Sequence, residues 1–319
     1  MPKPARDRLA RLLAGTEPTR ADSAVLRLPG DALELEVTDL GPVKTPIRAA
    51  QAKRLIGAAR PAKFGRGQET LSDTSVRDTW ELTPDQMHLG GPTWQAHLDA
   101  ALEHFCDEFG LPVGARLTAE PHSMLVYGKG QFFLPHQDSE KHEEMVASLV
   151  VMLPSVHTGG ELVVDDSGHE QTYVGSRDDL VLVAFYADRR HEVRPVRSGY
   201  RVTLTFNLLL TIPDATSAAG PVAEAASQLT EHFTTRVSSP YGGRDQGEPT
   251  RLAFLLDHEY TQGGLAAGRF KGADAERVAT LRAASSASRM RKRARPGGDQ
   301  RDLGRLVARR PLASWLARR

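Results

Sequence analysis

Short runs of apolar and β-branched residues recur along the middle of the chain, and turn residues separate them. The turns carry Gly128, Gly130, the Gly159-Gly160 pair and the Ser198-Gly199 pair. Short apolar runs that are bounded by turn residues in this way predict short strands. The predicted strands cover residues 124–127, 131–134, 145–153, 161–164, 171–174, 180–186, 191–196 and 200–212. Eight short strands within about 90 residues predict a sandwich or a jelly-roll barrel.

The pattern on both sides of this region contains helices. A helix is predicted from Thr93, after Pro92, to Phe109, before Gly110. Residues 6–13 form either one amphipathic helix or a solvated terminal turn. Further along, the pattern predicts helices over residues 221–235 and 273–283 and a strand over residues 251–256. The expected fold class is mainly β with flanking helices (α+β) and a jelly-roll core.

These elements divide the chain into four predicted segments. They are a mixed support (1–120), the jelly-roll core (121–212), a mixed α/β extension (213–283) and a basic tail expected to be disordered (284–319). The tail has 11 Lys or Arg against two acids, which leaves 30 basic and 38 acidic residues elsewhere. A frame disruption in a GC-rich gene would give such a tail as well. A nucleic-acid-binding arm is less favoured, because Trp315 is its one aromatic residue.

The overall composition excludes several classes of protein. Of the 319 residues, 40% are hydrophobic and 25% are charged, as in globular proteins. The longest apolar run, residues 180–187, is far shorter than the ~20 residues of a membrane helix, and residues 1–7 lack the apolar core of a signal peptide. We therefore expect a cytoplasmic protein. Cys106 is the single cysteine, which excludes an internal disulfide, a thiolate zinc cluster and an iron–sulfur site.

Two His-x-Asp pairs are the first candidates for a metal site. His97 and Asp99 lie in a predicted helix, where a separation of two residues turns the side chains by about 200° and points them apart. His136 and Asp138 follow a predicted strand, and residues i and i+2 of an extended chain share one face. The second pair can therefore enter the barrel together, whereas the first is expected on a helix surface.

A catalytic metal needs a third protein ligand from another strand. The candidates are His142, His157, His169 and His191. The first three lie in charged or turn segments and are expected to face solvent. His191 is favoured, because it begins a predicted strand directly after residues 180–186. Two His and one Asp would leave three positions open on an octahedral Fe(II), and three protein ligands are also compatible with zinc.

Arg201 favours iron over zinc. It lies ten residues after His191, in the apolar strand predicted over 200–212, and it shares a strand face with Thr203. A guanidinium among apolar residues is costly to bury unless it meets a carboxylate. The simplest partner is the distal carboxylate of 2-oxoglutarate, whose other end chelates iron. A protein Asp or Glu is the alternative partner.

Three segments together carry a family resemblance. They are residues 124–138, the sequence Gly159-Gly160-Glu161-Leu162 and residues 191–201. Over about residues 120–212 the chain resembles the Fe(II)/2-oxoglutarate dioxygenases of the prolyl-4-hydroxylase-like group. The resemblance implies a double-stranded β-helix core, Fe(II) as cofactor, and 2-oxoglutarate and O₂ as cosubstrates. It also implies an oxidoreductase that hydroxylates a peptide, an amino acid or a small molecule and releases succinate and CO₂.

The resemblance also assigns roles to single residues. Arg201 takes the place of the basic residue, usually lysine, that holds the C5 carboxylate of 2-oxoglutarate. Tyr127 matches the tyrosine that hydrogen-bonds the same carboxylate, and Thr203 is a further cofactor-binding candidate. The implied iron ligands are His136, Asp138 and His191.

The chain departs from the collagen-type members of this group. Phe133 stands where they often have tyrosine, and Asn207 where they often have tryptophan, which disfavours a prolyl-peptide substrate. Residues 65–80 form a candidate substrate lid. Two other interpretations remain open, namely a catalytically inactive jelly-roll binding protein and a zinc or cupin-type metalloenzyme. The sequence predicts no oligomeric state.

Overall fold

The structure is a computed structural model in which the chain forms two units, Ala21–Ile212 and Met1–Arg20 with Pro213–Arg319. None of its described helices has the length and apolar character that crossing a membrane requires. The described residues are 4–14, 21–66, 69–71, 73–112, 114–138, 144–166, 168–212, 221–236, 248–249, 252–260 and 262–293.

The strands all lie in the larger unit, among the residues that the structure describes. In chain order they are β1 (Ser23–Pro29), β2 (Glu34–Val37), β3 (Gly41–Val43), β4 (Arg60–Pro61), β5 (Phe64–Arg66), β6 (Glu69–Leu71), β7 (Arg77–Asp78), β8 (Trp80–Leu82), β9 (Met87–Gly90), β10 (Arg116–Tyr127), β11 (Phe132–His136), β12 (Met145–Met152), β13 (His157–Gly159), β14 (Leu162–Asp166), β15 (His169–Tyr173), β16 (Asp179–Tyr186), β17 (His191–Val193), β18 (Val196–Gly199) and β19 (Arg201–Thr211).

The helices are divided between the two units. They are α1 (Ala5–Ala14), α2 (Ala49–Ala58), α3 (Trp94–Glu108), α4 (Val222–Thr234), α5 (Gln262–Ala267) and α6 (Gly272–Arg293). A short 3₁₀ turn, Pro84–Gln86, precedes β9. The helices predicted over residues 93–109 and 221–235 are therefore confirmed as α3 and α4.

Two antiparallel sheets build the larger unit. One has seven strands in the order β1-β16-β12-β19-β10-β8-β4, and the other has five strands in the order β15-β14-β17-β11-β7. One buried cluster contains residues of both sheets, so their inner faces pack on each other. Its members include Leu125, Val150, Val183, Phe133, Leu162 and Val193. The predicted fold class, mainly β with a jelly-roll core and flanking helices, is confirmed.

The outer face of the seven-stranded sheet packs on helices. Leu149 and Val151 of β12 lie in one buried cluster with Phe105 and Phe109 of the α3 region, whereas Val150 and Met152 lie in the cluster between the sheets. Every residue of β12 is buried for this reason. A strand covered on both faces reads as a continuous apolar run, which is the pattern seen in the sequence.

The structure differs from the sequence prediction in the extent of several elements. Ser23–Pro29 forms β1, which pairs along its whole length with β16 and joins the support segment to the core sheet. The strand predicted over residues 251–256 is wrong, because residues 252–256 form no strand; residue 251 lies outside the described part. Leu252 and Phe254 instead pack against the helices of the smaller unit, which accounts for their alternating pattern.

The smaller unit is held together by α1, α4 and α6. Leu9 of α1 is 1% exposed and packs in one cluster with Leu229 and Phe233 of α4 and Leu281 of α6. Residues 6–13 are therefore helical rather than a solvated turn. Helix α6 continues past Ala283 to Arg293, so residues 284–293 are helical where the sequence predicts the tail; residues 294–319 lie outside the described residues.

We expect a chain truncated after Ala283 to lose stability in the smaller unit. The truncation removes buried Ala284 and the hydrogen bond of 3.1 Å from Ser288 Oγ to the Ala226 carbonyl. Lost apolar burial and one lost hydrogen bond together cost about 1–3 kcal/mol of unfolding free energy. Urea unfolding followed by circular dichroism measures this, with a chain truncated after Arg293 as the control. Equal unfolding midpoints in the two chains would contradict the packing described for α6.

Candidate active site

Strand pairing in the five-stranded sheet brings the two predicted histidine ligands together. His136 ends β11 and lies directly opposite His191, the first residue of β17. Asp138 follows two residues after the end of β11, where its backbone N–H donates to the Ala187 carbonyl at 3.0 Å. The register of one strand pair and one backbone hydrogen bond therefore place all three side chains.

The three side chains are close enough to hold one metal ion. His136 Nε2 lies 3.8 Å from Asp138 Oδ1, and His191 Nε2 lies 3.7 Å from Asp138 Oδ2. Their candidate ligand atoms all lie within 4.8 Å of one another. Among the residues that the structure describes, no other group of three His, Cys, Asp or Glu side chains meets this spacing. Two imidazoles and one carboxylate form the donor set typical of non-haem Fe(II) sites.

Hydrogen bonds orient each of these groups. The Nδ1 atoms of His136 and His191 lie 2.8 Å and 3.1 Å from the carbonyl oxygens of Leu134 and Arg189. Because a carbonyl can only accept, each Nδ1 carries the proton, which leaves the Nε2 lone pair for a metal. The hydroxyl of Ser148 donates to Asp138 Oδ2 at 2.5 Å and fixes the carboxylate.

The surroundings of His136 and Asp138 lower the pKa values of both side chains. Burial, assisted by the neighbouring His191, lowers the pKa of His136 to about 3, so this imidazole is neutral at neutral pH. Burial raises the pKa of Asp138, but the two imidazoles and the hydrogen bond from Ser148 more than offset it, and the net pKa shift is downward. Metal binding at neutral pH therefore displaces no proton from His136 or Asp138.

The other histidine candidates lie elsewhere. His157 is in β13, where its Nδ1 is 3.2 Å from the hydroxyl of Ser155, and His169 is in β15. Burial, followed by the charge of Arg201, lowers the pKa of His157. His142 lies outside the described residues. His97 lies on α3, as expected, and takes no part in the cluster.

Arg201 is buried without a protein carboxylate among the described residues. It is 1% exposed and lies directly opposite Tyr127 in the pairing of β10 with β19, with its guanidinium carbon 5.1 Å from the centre of the Tyr127 ring. Its Nε and Nη2 atoms have no hydrogen-bond partner, and neither has the buried hydroxyl of Thr203. Burial lowers the pKa of Arg201. The two guanidinium nitrogens of Arg201 and the hydroxyl of Thr203 are therefore available to hydrogen-bond a ligand.

Gly160 gives the Arg201 side chain its room. Its φ of +72° lies in the left-handed region that favours glycine, and a Cβ there would lie 2.9 Å from Cδ of Arg201. Gly160, the second glycine of the Gly159-Gly160 pair noted in the sequence, therefore lies against the buried Arg201 side chain.

One cavity of about 270 Å³ joins the metal candidates to the buried arginine. It lies within the larger unit, and its walls include all six residues singled out from the sequence as metal or cofactor ligands. They are His136, Asp138, His191, Tyr127, Arg201 and Thr203.

Ser148 and Arg77 also line this cavity, and neither is a ligand residue predicted from the sequence. Ser148 is the only hydroxyl-bearing residue of the buried apolar strand β12, and a polar residue at a buried position is the signal that marks it. Arg77 lies in the short strand β7, whose two residues give no periodic pattern.

Residues 122–209 match the sequence profile of the 2OG-Fe(II) oxygenase superfamily. A search of the curated proteins gives no match. Among solved structures, the chain is similar to a Pseudomonas putida prolyl-4-hydroxylase, with 22% identity, a TM-score of 0.39 and coverage of 63% of this chain and 98% of that chain. It is also similar to a prolyl hydroxylase from Trichoplax adhaerens in complex with a hypoxia inducible factor peptide fragment, with 14% identity, a TM-score of 0.39 and coverage of 64% and 90%.

The matched segment contains all six candidate ligands. Over residues 122–209 this match confirms the resemblance to the Fe(II)/2-oxoglutarate oxygenases stated from the sequence. The matched segment and the His-Asp-His cluster indicate a 2OG-Fe(II) oxygenase, an oxidoreductase that uses Fe(II), 2-oxoglutarate and O₂.

We expect His136→Ala, Asp138→Ala and His191→Ala each to weaken Fe(II) binding at least about 100-fold, because losing even an outer partner of a ligand costs 10- to 100-fold. Anaerobic equilibrium dialysis measures the binding. His97→Ala and Asp99→Ala are matched controls, since they alter the other His-x-Asp pair, and we expect less than a twofold change. Full iron loading of the His191 variant, with loss in His157→Ala or His169→Ala, would contradict the choice of third ligand.

Proposed function

We propose that this protein is an Fe(II)- and 2-oxoglutarate-dependent dioxygenase that hydroxylates a small-molecule, amino-acid or peptide substrate and releases succinate and CO₂. The observation that carries the proposal is the buried, unpartnered guanidinium of Arg201 in the same cavity as the His-Asp-His cluster. A metal site and a carboxylate receptor in one cavity match a cofactor with a chelating end and a distal carboxylate.

The donor set suits Fe(II). His136, Asp138 and His191 would bind it through two Nε2 atoms and one carboxylate, and their remaining polar atoms are already held by carbonyls and by Ser148. Three protein ligands leave positions for a bidentate 2-oxo acid and O₂. When bound, Fe(II) with these cosubstrates supplies oxidative decarboxylation coupled to hydroxylation.

The far end of the cavity suits the C5 carboxylate of 2-oxoglutarate. Arg201 would bind it through charge-assisted hydrogen bonds, which its free Nε–H and Nη2–H groups can donate. Tyr127, directly across the strand pair, would donate its phenol hydrogen to the same carboxylate, and Thr203 would add its hydroxyl. The apolar walls formed by Leu125, Phe185 and similar residues exclude water and strengthen these interactions.

The two alternatives account for less of the site. A zinc enzyme or an inactive binding protein has no use for a cation that is 1% exposed and lacks a carboxylate among the described residues. Burying such a cation costs several kcal/mol unless a ligand carboxylate compensates for it. In the oxygenase, 2-oxoglutarate supplies that carboxylate.

We expect Arg201→Ala to raise the dissociation constant of 2-oxoglutarate about 30- to 1000-fold, which corresponds to a loss of roughly 2–4 kcal/mol, with Fe(II) binding nearly unchanged. Arg201→Lys keeps the charge but loses the planar guanidinium, so it should raise the dissociation constant of 2-oxoglutarate less than Arg201→Ala does. Tyr127→Phe should cost about 1 kcal/mol. Anaerobic calorimetry with Fe(II) measures these affinities.

Arg197→Ala is the control for this series, because Arg197 is an exposed arginine on the neighbouring strand β18. We expect its affinity for 2-oxoglutarate to equal that of the wild type. An unchanged affinity in Arg201→Ala would rule out the proposed cofactor site, and the zinc or binding-protein interpretation would take its place.

A further inference from the structure

The charges at the catalytic centre balance once it is loaded as proposed, and the inference below rests on that proposed function. Fe(II) brings two positive charges and Arg201 one. Asp138 brings one negative charge and 2-oxoglutarate two. A neutral loaded centre leaves the remaining charged residues of the cavity wall to determine which substrate the cavity attracts.

Those remaining residues have a net positive charge. Glu81 is paired with Arg60, whose Nε lies 3.3 Å from Glu81 Oε2, so these two charges cancel. Lys63 and Arg77 also line the cavity. Within the described part of the chain, no carboxylate lies within ion-pair distance of either one. The cavity therefore presents two uncompensated positive charges to an incoming substrate.

Arg77 is held in place next to the metal ligands. It lies opposite Phe133 in the pairing of β7 with β11, and its guanidinium carbon is 4.6 Å from the centre of the Phe133 ring. The same ring also stacks on the His136 imidazole, with ring centres 3.5 Å apart. One aromatic ring thus separates the Arg77 guanidinium from a metal ligand. A cation held against an aromatic face keeps its N–H edge free for hydrogen bonds.

The donors of this guanidinium are mostly unused. Its Nη1 donates to the carbonyl oxygen of Lys63, and its Nε has no partner. A positioned guanidinium with unused N–H groups is the form of side chain that binds planar or tetrahedral oxyanions. Lys63 is exposed near it and adds attraction as a point charge.

We propose that Arg77 binds an oxyanion of the substrate, a carboxylate or a phosphate, so that the enzyme acts on an acidic molecule. Arg77 is then the residue that determines specificity.

The test uses the full chain with Mn(II) in place of Fe(II) and saturating 2-oxoglutarate. Acetate and inorganic phosphate are the probes, and the relaxation of their ¹³C and ³¹P signals by the bound Mn(II) is followed during titration. We expect saturable relaxation in the wild type. Arg77→Gln should raise the probe's dissociation constant at least about tenfold, as expected for the loss of a charge-assisted hydrogen bond. Arg77→Lys should lie between the two.

Arg116→Gln is the matched control for net charge, because Arg116 is an exposed arginine at the start of β10, and we expect less than a twofold change. Saturation by acetate identifies a carboxylate site, and stronger saturation by phosphate identifies a phosphate site. Equal probe affinity in Arg77→Gln and the wild type, or no saturable relaxation in the wild type, would overturn the inference. Binding of Mn(II) and 2-oxoglutarate is measured on the same samples and tests the proposed function separately. A wild-type protein that binds neither would overturn that function.

Discussion

The burial of the Arg201 guanidinium is the interaction on which the rest of the site depends. A cation that is 1% exposed and lacks a carboxylate among the described residues destabilises the free protein, and the surrounding sheets must compensate. Strand β19 pairs with β10 on one side and with β12 on the other. This pairing fixes the backbone at Arg201 and so keeps its side chain buried. A ligand that supplies a carboxylate then gains both the ion pair and the relief of this cost.

Strand register connects this arginine to the metal site. In the seven-stranded sheet, Tyr127 faces Arg201, and in the five-stranded sheet, His136 faces His191. The two strand pairs are joined by short connections, since Tyr127 and His136 are nine residues apart and His191 and Arg201 are ten residues apart. The cavity between the sheets therefore has the buried Arg201 guanidinium at one end and the His-Asp-His cluster at the other, which is the arrangement that the proposed cosubstrate requires.

Much of this arrangement could be predicted from the sequence, because its signals are local. The apolar runs mark the strands of the core, and the spacing of His136 and Asp138 marks a pair of side chains that can meet. The reason given for that pair is only partly correct: β11 ends at His136, and Asp138 is placed by its hydrogen bond to Ala187 rather than by strand parity.

The features that the sequence did not reveal depend on contacts between distant segments. The pairing of β1 with β16 joins residues at least 150 positions apart, and neither strand's sequence indicates its partner. Arg77 reaches the cavity only because β7 lies beside β11. Helix α6 extends past Ala283 because its alanines and Ser288 pack against α4, and a sequence rich in Arg, Ala and Ser has too little apolar periodicity to show this.

The most direct test of the central claim is an anaerobic titration of the protein with Fe(II) and 2-oxoglutarate, followed by visible absorption. Chelation of Fe(II) by a 2-oxo acid gives a weak charge-transfer band that neither component gives alone. We predict that this band appears only when both are present and saturates at one equivalent of each. Absence of the band with both present, while Fe(II) or zinc still binds, would contradict the account.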